Sequence, residues 1–291
     1  MAFKSGFIAI LGKPNVGKST LLNTILEQKV SIVSPKPNLT RRKILGIKHL
    51  TEAQLIFVDT PGIQETRLLL NKYLVKRALS SKDDADLLLF LAEAPRGIDE
   101  DDMYVLSHLK GTKVCVFLVL NKMDLVKEAP LGDYQGIFPF SETVAVSALT
   151  GESIPLFLDK ILDYLPEGPR YFPEDMITDE IERDIAAEII REKLFDLTRD
   201  EVPYAVAVLI DEFSPREEQG ITFVSATIYV ERESQKGIVI GKGGLLLKKV
   251  GELARADIES LIGEKVFLQL WVKVAKNWRH DPAALRRFGF V

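Results

Sequence analysis

The chemistry of this chain begins at Gly12-Lys13-Pro14-Asn15-Val16-Gly17-Lys18-Ser19, which fits the spacing G-x-x-x-x-G-K-[ST]. Glycines let such a loop curl until successive backbone N–H groups converge on phosphate oxygens. A helix opening at Lys18 adds the partial positive charge of its N-terminus. Asn15, Val16, Gly17, Lys18, Ser19 and Thr20 are therefore expected to hold phosphates. Lys18 reaches the β- and γ-phosphates in this reading, and Ser19 ligates Mg2+. The loop selects a nucleoside triphosphate and leaves the base open.

Asn121-Lys122-Met123-Asp124 points to the base. It closes an apolar run that reads as a buried strand, and ligands of open α/β sheets sit at such strand ends. Guanine offers N1–H and a 2-amino group as adjacent donors, and the Asp124 carboxylate can accept both. Adenine would leave that acceptor unpaired. Asn121 is expected to tie this loop to the phosphate loop, and the Lys122 stem to cover the base. Ser147-Ala148 ends the next strand and could give a backbone N–H to guanine O6. Asp59-Thr60-Pro61-Gly62 ends a third strand, so Asp59 is expected to hold Mg2+ through water and the Gly62 N–H to sense the γ-phosphate. Thr40 is the expected switch residue between Mg2+ and the γ-phosphate. The expected catalytic set is then Lys18, Thr40 and Gly62, and the metal set Ser19, Thr40 and Asp59. Ile63 follows where many nucleotide hydrolases place a water-orienting glutamine. Isoleucine orients nothing by hydrogen bond, and Gln64 is expected to point elsewhere, so slow intrinsic hydrolysis is expected.

A second glycine loop, Gly241-Lys242-Gly243-Gly244, lacks the Lys-[Ser/Thr] ending and so has nothing for Mg2+. It fits G-x-x-G, whose glycines admit a sugar-phosphate backbone and which clamps about four nucleotides of single strand. Lys242, Lys248 and Lys249 supply positive charge. Ile238, Val239 and Ile240 are expected to floor a groove for bases. The tail adds Trp278, Arg279, Arg286, Arg287 and Phe288. Arginine and aromatic side chains suit phosphate contact and stacking, although Trp278 and Phe288 serve equally well as packing.

The elements that must position these residues follow from pattern. Up to residue 165, apolar strand runs such as GFIAIL, AQLIFVD, DLLLFLAEA and KVCVFLVL alternate with amphipathic helical segments. Continuous apolar runs fit a mostly parallel sheet covered on both faces, hence a doubly wound α/β domain. PEGPRYFPED breaks the pattern, which sets the expected boundaries at 1–168, a linker at 169–177, and 178–291. A helix capped by Thr178 or Asp179 should then open an α-β-β-α-α-β order. Net charge over the 291 residues is −4, distributed as −10 over 169–231 and +6 over 232–291. A basic last fifth on an acidic chain suggests a polyanionic partner. The single cysteine, Cys115, reads as a small core side chain, and the scattered His49, His108 and His280 have no metal-ligand spacing. No apolar run reaches the ~20 residues that span a bilayer, so a cytoplasmic protein without a transmembrane segment is expected.

Gly12–Ser19, Thr40, Asp59–Gly62, Asn121–Asp124 and Ser147–Ala148 together resemble the five motifs of the translation-factor-type P-loop GTPases. KPNVGKSTLLN and DTPGI resemble the branch concerned with ribosome assembly and RNA modification. The α-β-β-α-α-β order around Gly241–Gly244 resembles a type II KH module. With PEDMITD, REKLFDLTRDEVPYA, ERESQKGIVIGKGG and LWVKVAKNWR, nearly the whole chain resembles the bacterial Era-like GTPases with a C-terminal KH domain. The resemblance implies a monomeric GTP-hydrolysing switch with Mg2+. Its expected partners are the single-stranded 3′ end of small-subunit (16S) ribosomal RNA and the small ribosomal subunit, in whose maturation it assists. It also implies peripheral contact with the inner membrane and, from members that place K+ beside a phosphate-loop asparagine, K+ near Asn15. Ile240, Gly241, Lys242, Gly243, Gly244, Lys248 and Arg279 become the expected RNA contacts. Leu39 departs from relatives that carry a second threonine before Thr40. Two rivals are an RNA-modifying enzyme and an RNA-binding module with a decayed nucleotide site. The first lacks a nucleophile or second cofactor motif; the second is opposed by intact Lys18, Ser19, Asp59, Asn121 and Asp124.

Overall fold

The computed structural model describes residues 2–33, 40–179, 182–216 and 220–290. The chain divides into two compact units, residues 1–67 with 71–179, and Leu68–Leu70 with Glu180–Val291. Leu39 and Glu180 lie outside the described residues.

In the first unit β1 (Lys4–Leu11), α1 (Lys18–Leu26), β2 (Ile44–Leu50), β3 (Ala53–Asp59), α2 (Leu69–Ser80), β4 (Leu87–Glu93), α3 (Glu100–Leu109), β5 (Cys115–Asn121), β6 (Glu142–Ala145) and α4 (Ile154–Tyr164) follow in order. The sheet runs β2-β3-β1-β4-β5-β6. All its pairs are parallel except β2 with β3. Only two residues, Thr51 and Glu52, join those strands. So short a connection permits only a hairpin. Every residue of β3 and of β4 is buried, as strands covered on both faces require. One face packs Ile8, Ile10, Leu89 and Phe117 against α1 and α4, and the other packs Leu11, Leu88, Phe90 and Leu118 against α3. The parallel strands bring the segments after β1, β3, β5 and β6 to one edge, where the sheet's ligand crevice lies.

The second unit contains α5 (Glu182–Leu197), β7 (Ala207–Arg216), β8 (Ile221–Val230), α6 (Glu233–Ile240), α7 (Leu245–Ile262), β9 (Lys265–Val274) and the short α8 (Pro282–Arg287). The sheet order is β7-β8-β9, antiparallel between β7 and β8 and parallel between β8 and β9. Val224, Ala226 and Ile228 of β8 meet Ile189 and Ile190 of α5 and Val250, Ala254 and Ile258 of α7 in one core. The α-β-β-α-α-β order is the expected one, with α8 added.

One expectation is corrected. Cys115 is exposed, because it opens β5 and burial begins at Val116. Thr178 bridges to Gly46 and the Asp179 carboxylate accepts from the Leu45 N–H; residues 180 and 181, between them and α5, lie outside the described residues. The expected linker stretch is held by hydrogen bonds. The Gln54 side chain holds the backbone of Tyr171 and Phe172, His49 reaches the Met176 carbonyl, and the Ile47 N–H bonds Ile177. Residues 165–179 thus lie along the strands of the first unit.

Candidate functional site

The glycine loop after β1 turns on left-handed residues. Asn15 has φ 65° and Gly17, which caps α1, has φ 97°. A Cβ at Gly17 would stand 2.2 Å from Asn121 Nδ2, so a side chain is excluded by contact as well as by φ. Lys18 is buried and folds back over its own loop, donating to the carbonyls of Gly12 at 3.1 Å and Lys13 at 2.9 Å. Burial pushes its ammonium down to about 8, against the pull of Asp59.

Ser19 Oγ lies 2.9 Å from Thr40 Oγ1 and donates to Asp59 Oδ2 at 2.6 Å. Ser31 Oγ donates to the same oxygen at 2.8 Å. The other carboxylate oxygen of Asp59 is buried without a hydrogen-bond partner. Burial raises this carboxyl above its usual range despite the two hydroxyls and Lys18. An orphaned buried carboxylate oxygen beside two hydroxyls is an all-oxygen donor set of the kind Mg2+ takes, so the residues fit that ion.

A cavity of about 590 Å³ opens here, lined by Asn15, Gly17, Lys18, Ser19, Thr20, Thr40, Gly62 and Lys122 of the expected residues. Gln64 lines it too, contrary to expectation: the Ile63 N–H bonds to the Gly12 carbonyl, which buries the isoleucine side chain and turns the next residue toward the cavity. Val16 contributes only its backbone, since its side chain is wholly buried.

Asp124, Ser147 and Ala148 are not cavity walls but join the site through Asn121. That buried side chain donates to the Val16 carbonyl at 2.8 Å and accepts from the Ala148 N–H at 2.9 Å. Ser147 Oγ donates to Asp124 Oδ1 at 2.5 Å, fixing a carboxylate that is otherwise exposed. Lys122, left-handed at φ 66°, is held by Glu93 at 2.7 Å.

Sequence reasoning missed a second charge cluster on the same loop. Lys13 is buried between Asp99 at 2.5 Å and Asp102 at 2.7 Å, which together form the capping box of α3. Burial works against the Lys13 ammonium, but the two carboxylates outweigh it and hold its pKa above the usual value. Burial also pushes the Asp102 carboxyl up to about 6. The Asp-x-x-Asp spacing before a helix was visible in the sequence; its link to Lys13 spans 86 and 89 residues and was not. Ser31 was missed for the same reason.

In the second unit α6 ends at Ile240, Gly241 turns at φ 73°, and Gly244 at φ 80° caps α7. A Cβ on Gly241 would meet Leu246 Cβ at 2.7 Å, so α7 starts directly against this glycine. Lys242 and Gly243 are exposed at the tip, and Lys248 is 75% exposed. A groove of about 570 Å³ runs from Gly244 between α7 and β9, lined by Leu247, Lys248, Glu252, Arg255 and Phe267 among others. Arg255 and Phe267 were not anticipated.

Ile238, Val239 and Ile240 do not floor this groove. They sit on α6, where consecutive side chains diverge by about 100°. Val239 is in the core, Ile238 is half exposed, and Ile240 is partly buried. Arg279 is also placed differently, because its guanidinium bonds Glu231 at 2.6 Å and is largely covered. Trp278 is fully buried, donates to the Ala205 carbonyl at 2.9 Å and meets Phe288 edge-on, so both rings pack the tail.

Comparison with known proteins agrees with this division. The family described as "50S ribosome-binding GTPase" matches residues 7–122, and the KH domain family matches residues 201–279. Proteins named GTPase Era from Syntrophus aciditrophicus and Geobacter metallireducens are each 50% identical over 99% of this chain, covering 95% and 98% of their own lengths. A crystal structure of Era in complex with MgGDPNP and nucleotides 1506–1542 of 16S ribosomal RNA superposes with TM-score 0.95 at 42% identity, covering 99% of both chains. A variant of Aquifex aeolicus Era bound to GDP and tetrafluoroaluminate gives 0.93 at 43%, covering 99% of this chain and all of that one.

Proposed function

Because this chain belongs to the Era family of GTPases, we propose that it hydrolyses GTP as a switch that governs its grip on the 3′ end of small-subunit ribosomal RNA during assembly of that subunit. The observation that carries the nucleotide half is the Ser19–Thr40–Asp59 cluster, with its orphaned carboxylate oxygen beside the buried Lys18. Lys18 neutralises β- and γ-phosphate charge, and Asp124 pairs with guanine. Thr40 and the Gly62 N–H read whether a γ-phosphate is present. Ser19, Thr40 and Asp59 would hold Mg2+, which would supply positive charge to offset that of the phosphates. Gln64 lines the cavity by the phosphates, yet Ile63 offers an attacking water nothing, so the unassisted reaction is slow.

The RNA half is carried by residues 178–291. Gly241, Lys242, Gly243 and Gly244 would clamp the backbone at the start of α7, with Lys248 and Arg255 along the groove. We leave Arg279 out of that set because Glu231 occupies it. Residues 1–168 would act as the nucleotide domain, with 169–177 connecting them. We place the work in the cytoplasm, with inner-membrane contact following from family resemblance alone and testable by fractionation. No helix among the described residues is long and apolar enough to cross a membrane.

The test is to cross-link the protein to cellular RNA with and without a non-hydrolysable GTP analogue and sequence the bound fragments. Enrichment of the small-subunit rRNA 3′ end that changes with nucleotide is the expected result. An identical fragment pattern in both conditions would contradict a switch. A protein that takes ATP and ignores GTP would contradict the base assignment.

A further inference from the structure

The outer face of the β7-β8-β9 sheet, opposite α5 and α7, carries a group of residues that the groove does not use. Side chains alternate across a strand, so Val224, Ala226, Leu268 and Leu270 enter the core while Phe223, Phe267 and Trp271 face outward. Trp271 is 53% exposed and Phe267 57%. Phe223 and Phe267 sit opposite each other in the ladder, with centroids 5.8 Å apart and planes 11° apart. The Arg216 guanidinium lies over Phe223, 4.3 Å from its centroid. Lys265 and Lys273, both exposed, flank the rings along β9. Among the described residues, the acids of this face, Asp211 and Glu212, stand on β7 and are bonded by Thr227 and Ser214.

Soluble surfaces seldom leave large rings side by side in water unless a partner uses them. Rings flanked by cations fit one partner in particular, since nucleobases stack on aromatic faces while phosphates seek positive charge. The face is also continuous with the groove. β9 pairs on one side only, with β8, and Phe267 on that strand lines the groove as well as the outer face. A strand lying between α7 and β9 therefore meets Phe267 as it leaves.

We propose that the outer face of this sheet is a second subsite for single-stranded RNA, where bases beyond those in the groove stack on Phe267, Trp271 and Phe223 while Arg216, Lys265 and Lys273 meet the phosphates. The inference rests on the reading of the groove as an RNA site.

The test uses the full chain and two RNAs from the 3′ end of 16S ribosomal RNA, one of about four nucleotides, enough for the groove, and one of about twelve, enough to leave it. The Phe223→Ala/Trp271→Ala double variant, whose residues do not line the groove, should weaken the long RNA about tenfold or more, the loss expected from removing base stacking, and leave the short RNA nearly unchanged. Gly241→Asp should weaken both RNAs. Phe223→Leu/Trp271→Leu keeps apolar area without rings and should not restore the long RNA. Unchanged binding of the long RNA by the alanine variant would overturn the subsite. So would an equal loss for both lengths, which makes the rings part of the groove's own support, and so would full rescue by leucine, which makes the patch an apolar protein contact. If Gly241→Asp also changed nothing, the groove reading itself would fall, an outcome distinct from failure of the outer face alone.

Discussion

The chain has two glycine loops at helix starts, and they differ in what stands behind them. Gly12–Ser19 is backed by buried charge: Lys18 and Lys13 inside, Asp59 and Asp102 fully covered, and Asn121 locking the loop to the next segments. Gly241–Gly244 is backed by apolar core, with its cations Lys242 and Lys248 in solvent. A buried cation selects one compact polyanion and pays desolvation in advance, whereas exposed cations along a groove attract any strand of phosphates. A glycine loop thus stands over buried charge at a cavity in one place and beside exposed cations at a groove in the other.

The comparison breaks first at Lys18. Lys18→Met should lower nucleotide affinity by about a hundredfold or more, because it removes one partner of a buried charge contact. It should also raise the melting temperature of the nucleotide-free protein at pH 7. The folded ammonium sits at about 8, below its free value of 10.5, so the folded state bears the cost of a buried charge at neutral pH. Between those values unfolding takes up a proton, and wild-type stability should rise with pH across that window relative to the methionine variant. Parallel melting curves from pH 7 to 10.5 would refute the buried-cation account.

Asp124→Asn should reduce GTP affinity about a hundredfold and favour xanthosine nucleotides, since an amide cannot accept from both guanine donors. Competition titration with GTP and XTP decides it, and unchanged preference would remove Asp124 from base recognition. At the other loop, Gly241→Asp should cost about tenfold or more in RNA affinity, because its Cβ collides with Leu246 and its charge repels phosphate. GTP binding should be spared. RNA affinity of the wild type should also fall steeply with salt. The smallest effect concerns Asn15: turnover should be several-fold faster in K+ than in Na+ at the same ionic strength. Equal rates would exclude a monovalent ion beside the loop.

Much of this was legible in the sequence because the signals are local. G-x-x-x-x-G-K-[ST], N-K-x-D and G-x-x-G each fix backbone shape and functional groups within a few residues, and apolar periodicity marked the strands and helices that carry them. Where expectation failed, the deciding neighbour lay far away in the chain. Cys115 lies in an apolar run but at its solvent end, and Arg279, expected to contact RNA, is held by Glu231, 48 residues earlier in the chain. Val239 read as groove lining until α6 turned it inward.

What the amino-acid order settled alone was the inventory: two glycine loops at helix starts, an Asn-Lys-x-Asp segment and a basic end, each built from neighbours in sequence. Which side chains back them was settled only by folding. Lys13 found Asp99 and Asp102, Ser31 found Asp59, and Phe267 came to stand between a groove and an open sheet face. Such meetings depend on strand order and on which segments the core draws together, and no short stretch of sequence encodes either.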